Sequence, residues 1–220
     1  MMNDKLDRRA ASGADRWLVC LSAVALLTVP AAFAQVWTED GDAGDLLGIA
    51  QITLGTGGLT TIAGVLAGHD DVDLYCIQLT ATPPAGLPLV SLQCNQDADP
   101  SPWLFDAVGM GVRANQVCSG GMKILTAPNV SLAPGLYYVA VSHSGREPSS
   151  AGGDIWQIPA LGPQSPDGPG AGSGLLSWPG TLAIVPPASY QMTLGWMTFC
   201  DGATPAERAS WSTLKAMYGN

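Results

Sequence analysis

Positive charge is scarce in this chain: 9 Lys and Arg stand against 18 Asp and Glu, and charged residues of all kinds make up only 12% of it. Binding to phosphate needs a basic footprint, so the composition argues against nucleic acid as a partner, and against anionic membrane surfaces for the same reason. Histidine is nearly missing too, with His69 and His143 the two copies. Ser142-His143-Ser144 sets nucleophile beside base, yet neighbours along a strand point to opposite faces and no nucleophile-elbow pattern surrounds them. A satisfied surface histidine is the expected state of His143. Paired carboxylates suit glycoside hydrolysis, but that chemistry needs a cleft with two separated acids, which a sequence does not display. No CxxC pair occurs and both histidines lie far from any cysteine, which argues against zinc.

An apolar run long enough to span a membrane is also lacking. The longest, Trp17 to Leu27, is shorter than the roughly 20 residues a spanning helix needs, and Pro30 interrupts the chain just beyond it. With Lys5, Arg8, Arg9 and Arg16 before it and Ala32-Phe33-Ala34 after it, residues 1–34 read as a secretory signal cleaved before Gln35. Cys20 follows bulky residues and does not suit a lipoprotein signal. Cleavage leaves 5 basic and 15 acidic residues, a net charge of −10, in a chain of single-domain size. No membrane span is then expected.

The mature chain keeps Cys76, Cys94, Cys118 and Cys200, an even number that in an exported protein favours two disulfides with three possible connectivities. Cys94 with Cys118, bracketing a hairpin, and Cys76 with Cys200, joining an early strand to the last, is the pairing we expect. Against the second pair, alternation puts Cys200 on the apolar face of its strand and Cys76 opposite Tyr75 and Ile77.

Short β-type runs fill the rest: Leu47–Leu54, Leu59–Ala63, Leu87–Leu92, Trp103–Asp106, Val112–Arg113, Met122–Leu125 and Leu136–Ser142, each bounded by Gly, Pro, Asn or Asp. Tyr190, Met192, Leu194 and Trp196 alternate with Gln191, Thr193 and Gly195 in the clearest and last strand. Ala133-Pro134-Gly135-Leu136 reads as a type II turn. The pattern predicts an all-β, antiparallel sandwich over residues 35–200. From about 145 to 180 the chain is dense in Gly and Pro, too long for a hairpin and too poor in hydrophobes for a second core; we expect a loosely ordered surface excursion, with Ile155, Trp156, Leu175, Leu176 and Trp178 available to pin it. In residues 201–220, Thr204-Pro205-Ala206-Glu207 fits a capping box ahead of Trp211, Leu214 and Tyr218 on one face of a short amphipathic helix.

Two acidic clusters precede β-type runs: Glu39-Asp40-Gly41-Asp42 with Asp45 beyond, and Asp70-Asp71-Val72-Asp73. Calcium takes six to eight oxygens, so a protein gathers carboxylates from separate segments and tolerates their repulsion for the ion's sake. An EF-hand is ruled out, because counting from Asp40 places Gly44 at the third ligand position and Gln51 at the closing glutamate.

Asp70-x-x-Asp73-x-Tyr75, Leu104-Phe105-Asp106-Ala107-x-Gly109 and Leu132-Ala133-Pro134-Gly135-x-Tyr137-Tyr138-Val139-x-Val141, in that order, resemble the bacterial pre-peptidase C-terminal domain. That family includes the collagen-binding domains of secreted clostridial collagenases. The likeness covers roughly residues 37–199. It implies a jelly-roll sandwich, a structural calcium ion and a non-catalytic role beside secreted hydrolases. By position it implies Glu39, Asp42, Asp70 and Asp73 as ligands, with Asp40, Asp45 and Asp71 as further candidates, and it departs from the collagenase pattern at Gly41, where those domains carry asparagine. The Gly/Pro-dense stretch with Asp167-Gly168-Pro169-Gly170 and Trp178 resembles an uncharacterised group of secreted relatives instead.

These features leave three candidate roles. The first is an extracellular module that binds a protein or glycan, favoured if Trp103, Trp156 or Trp178 form an exposed platform. The second is a surface-assembly component using the terminal helix, and the third a small hydrolase.

Overall fold

In the computed structural model, the described residues are 35–94, 99–180 and 186–200; the expected signal segment and terminal helix lie outside them. Every element in the described part is a strand. β1 (Gln35–Thr38), β3 (Leu59–Leu66), β5 (Pro88–Gln93), β8 (Met122–Thr126) and β13 (Ala188–Leu194) form one sheet in the order β1-β3-β13-β5-β8. A second sheet runs β14-β4-β9-β6-β7 and consists of β4 (Val72–Leu79), β6 (Ser101–Asp106), β7 (Gly111–Ala114), β9 (Gly135–Ser142) and β14 (Met197–Phe199), with β2 (Gln51–Ile52) also paired to β4. The architecture is all-β and sandwich-like.

It is not wholly antiparallel. β1 runs parallel to β3 and β2 parallel to β4, because the chain visits the other sheet between the paired strands instead of turning back by a hairpin. The run Leu47–Leu54 yields only the two residues of β2. Leu46 and Leu47 instead pack sideways against an apolar cluster, and Ile49 turns outward.

Alternation builds the core between the sheets. Tyr75, Ile77 and Leu79 of β4 and Tyr137, Val139 and Val141 of β9 face Ile62, Leu92, Tyr190, Met192 and Leu194 of the other sheet. The expected strand through Trp196 stops at Leu194: Trp196 has a φ of 69° and is 41% exposed, and after this turn the chain crosses into the second sheet as β14. Cys200 follows that crossing, so parity counted from Tyr190 does not reach it. Cys76 and Cys200 lie at disulfide distance, with Cα atoms 5.4 Å apart, as do Cys94 and Cys118 at 6.2 Å. The proline corner before β9 also differs from a type II turn. Gly135 enters the strand at φ 154°, and the Tyr137 hydroxyl closes the corner by donating to the Ala133 carbonyl (2.9 Å).

The Gly/Pro-dense stretch is not a loose excursion. β10 (Ser149–Ser150), β11 (Gly153–Asp154) and β12 (Leu175–Ser177) make a small third sheet. From this layer Ile155, Trp156 and Trp178 join Val72, Leu74, Trp103, Phe105 and Ala140 in a second buried cluster on the outer face of the β4 sheet. The four aromatic rings meet edge-on or tilted at 5.4–6.1 Å between centroids, an arrangement their quadrupoles favour. Glycine lets the layer lie flat: Gly170 donates to the Asp154 carbonyl (2.8 Å), and a Cβ there would collide with the carbonyl of Gly153. The three tryptophans are therefore core, not an exposed platform.

Because Trp156 is fully buried, Trp156→Ala should lower unfolding free energy by about 3–5 kcal/mol in urea denaturation. A loss below about 1 kcal/mol would mean the outer layer adds little to the fold.

Candidate metal centre

Both acidic segments meet at one end of the sandwich, where the sheets open. Glu39 follows β1 in the first sheet, and its Oε2 accepts from the Val65 amide (2.8 Å). Asp71 and Asp73 bracket the start of β4 in the second sheet; being two residues apart, they lean the same way. Asp42 reaches in from the loop between β1 and β2, where its Oδ1 accepts from the Gly44 amide (2.8 Å) and so shapes that loop. Oxygens of Asp42, Asp71 and Asp73 lie within 4.8 Å of one another.

Asp73 is the unusual member, since its side chain is fully buried. Oδ2 accepts a 2.6 Å hydrogen bond from Tyr190 of the opposite sheet, and the Tyr190 hydroxyl also pairs with that of Tyr75 (2.6 Å). Oδ1 receives no hydrogen bond from a protein donor, although the Glu39 carboxyl lies within hydrogen-bond reach of the Asp73 carboxyl. Burial, foremost, and repulsion from Glu39 and Asp71 push the Asp73 carboxyl up to about 8, against the pull of the Tyr190 hydroxyl. Burial likewise raises Asp71, whose Oδ2 accepts from the Ala67 amide, and Asp42 adds repulsion there. Desolvation drives Tyr190 well above its ordinary range, so it is a lasting proton donor.

An open cavity of about 560 Å³ lies over the cluster, lined by Glu39, Asp42, Asp45, Asp70 and Asp71 among others. Of the residues implied by resemblance, Asp42 and Asp73 come together, and Glu39 lines the cavity beside Asp73. Asp70 lines the cavity outside the close trio, and its backbone carbonyl accepts from Arg146 (3.2 Å). Asp45 also lines it, with its carbonyl taking the Trp178 indole N–H (2.7 Å). Asp40 turns its backbone to the Gln51 side chain. Asp71 takes a place in the trio.

The fit to a hard divalent cation rests on the donor set. Carboxylates from two segments converge, and one buried oxygen lacks a donor, a costly state that a cation relieves. Sequence reasoning passed over Tyr75, Tyr190 and Gly64. A Cβ on Gly64 would strike the Tyr190 hydroxyl and lie 2.7 Å from Glu39 Oε2, so glycine opposite Tyr190 leaves room within the first sheet for both groups. Only strand parity, placing both tyrosines inward, hinted at their involvement.

Ser142 is held by structural hydrogen bonds. The Ser142 hydroxyl, buried, accepts from the Trp103 indole (2.9 Å) and donates to the Arg146 carbonyl (2.7 Å). His143 is 1% exposed, not on the surface as expected.

An acid with a folded pKa of about 8 against an ordinary 3.8 holds its proton more tightly in the folded state. The stability this confers is whole below about pH 4 and is lost as pH rises through 8. Cation-free protein should therefore weaken across that window in chelator-containing urea melts, and Asp73→Asn should flatten the decline. An equal slope in the variant would assign the effect to other groups.

No family model matches the chain, and no curated protein matches it, so the reading of this corner rests on its geometry.

Proposed function

We propose that the chain is an exported β-sandwich module of the pre-peptidase C-terminal type, with a jelly-roll topology, that is stabilised by a structural calcium ion and binds an extracellular protein or glycan without catalysing a reaction. The observation that carries the calcium is the orphaned, buried Oδ1 of Asp73 within 4.8 Å of Asp42 and Asp71 oxygens. Asp42, Asp71, Asp73 and Glu39 would hold the ion, which supplies charge neutralisation and a cross-link between the sheets. Tyr190 orients Asp73 by occupying its other oxygen.

Export agrees with two cysteine pairs at disulfide distance, which persist in oxidising compartments. Among the described residues no helix is long and apolar enough to cross a membrane. A binding role, in preference to hydrolysis, is supported by the structural commitment of Ser142 and by an acidic cavity that neutral or cationic ligand groups suit better than anionic ones.

Excess calcium should raise the melting temperature by about 5–10 °C over chelator, as expected for a ligand near one hundred times its Kd. Asp71→Asn with Asp73→Asn should abolish the increment. Identical melting curves with calcium and chelator would sink the metal assignment. Separately, glycan arrays and immobilised matrix proteins probed with the mature chain should show retention that chelator removes.

A further inference from the structure

The outer layer is fastened to the two acidic segments. At its exit, the Trp178 indole N–H donates to the Asp45 carbonyl (2.7 Å), three residues from Asp42. At its entry, the Arg146 guanidinium bridges the carbonyls of Gly180 (3.1 Å) and Asp70 (3.2 Å), the latter next to Asp71. Between these ties, Leu46, Leu47 and Ala50 of the first acidic loop pack on the cluster that holds Ile155, Trp156 and Trp178. The Leu74 amide, one residue past Asp73, donates to the Gly44 carbonyl (2.9 Å), so both acidic segments and the layer share one framework.

We propose that the cation site and the layer formed by residues 145–180 are energetically coupled: cation binding clamps the layer over the outer face of the β4 sheet, and removing the cation lets it open and uncover the aromatic cluster. This rests on the reading of the acidic corner as a calcium site. Without a cation, nothing links the Asp42 carboxylate of the first acidic loop to Asp71 and Asp73 of the second segment, and the ties of the layer end on those two segments. The layer is held by its buried cluster and by these polar ties, so loosening the ties lowers the cost of its local opening while leaving the two-sheet core intact. Opening would bare Trp103, Phe105, Trp156 and Trp178, an apolar patch that the closed form hides. Coupling is reciprocal, so a change that loosens the layer must weaken cation binding by the same factor.

Hydrogen exchange of the mature protein, with calcium and with chelator, tests the first half. The Gly170 and Leu175 amides, which donate to Asp154 and Gly109 carbonyls, report opening of the layer; the Met192 amide in the middle of β13 reports global stability. Calcium should slow Gly170 and Leu175 by at least about tenfold more than Met192. Calorimetric titration with calcium tests the second half: Trp178→Phe, which keeps the ring but lacks the donor, and Arg146→Gln at the exposed rim should each weaken binding by about three- to tenfold. Arg146→Gln carries the test if Trp178→Phe does not fold. Calcium binding with equal slowing at all three amides and unchanged affinity in the variants overturns the coupling and leaves the calcium site standing. Absence of any calcium heat in the wild-type protein overturns both.

Discussion

Strand β4 is buried on both faces, and a strand so placed obliges the chain to build a layer on either side of it. Tyr75, Ile77 and Leu79 are covered by the facing sheet; Val72 and Leu74 need a second cover, which residues 145–180 supply with two tryptophans and an isoleucine. The fold is thus three layers thick where it is most apolar. A Gly/Pro-dense stretch suits that task because its backbone can lie close upon itself and lend its few large side chains to the sheet beneath.

The same strand carries the electrostatic problem. Its first residues emerge where the sheets part, and Asp73 points into the gap with Tyr190 reaching across from the opposite sheet. A carboxylate buried beside other carboxylates must take up a proton or gain a cation. On the proposed reading, a calcium ion would resolve this at neutral pH without protonation. The corner then joins the sheets by charge where apolar packing runs out, while the disulfide-distance pair Cys76 and Cys200 joins the end strand β14 to β4 on the same sheet.

Much of this was legible in the residues. The inward Tyr190, Met192 and Leu194, the run of β9 and the meeting of two acidic clusters all follow from alternation and from the cost of leaving carboxylates unpaired. What escaped sequence reasoning depended on tertiary placement. The family resemblance pointed to Asp70 with Asp73, whereas the i, i+2 relation sets Asp71 beside Asp73 once the strand begins at Val72. Trp156 and Trp178 read as able to pin the Gly/Pro-dense stretch but not as buried with Trp103, since burial of the outer sheet face depends on where a distant segment lands. The switch at Trp196 was hidden because a bulky residue at positive φ imitates a continuing alternation.

The pairing of β3 with β13 has a consequence for how the molecule comes into being. Ile62 sits opposite Met192, so the middle of the first sheet waits for residues near the far end of the chain. Until they arrive, β3 and β5 lack the strand that lies between them, and both expose unpaired backbone edges. Such long-range closure makes for slow assembly and a prolonged risk of misassociation. The second sheet, whose β6, β7 and β9 lie closer in sequence, can form first and act as the template on which the late strands β13 and β14 complete the molecule.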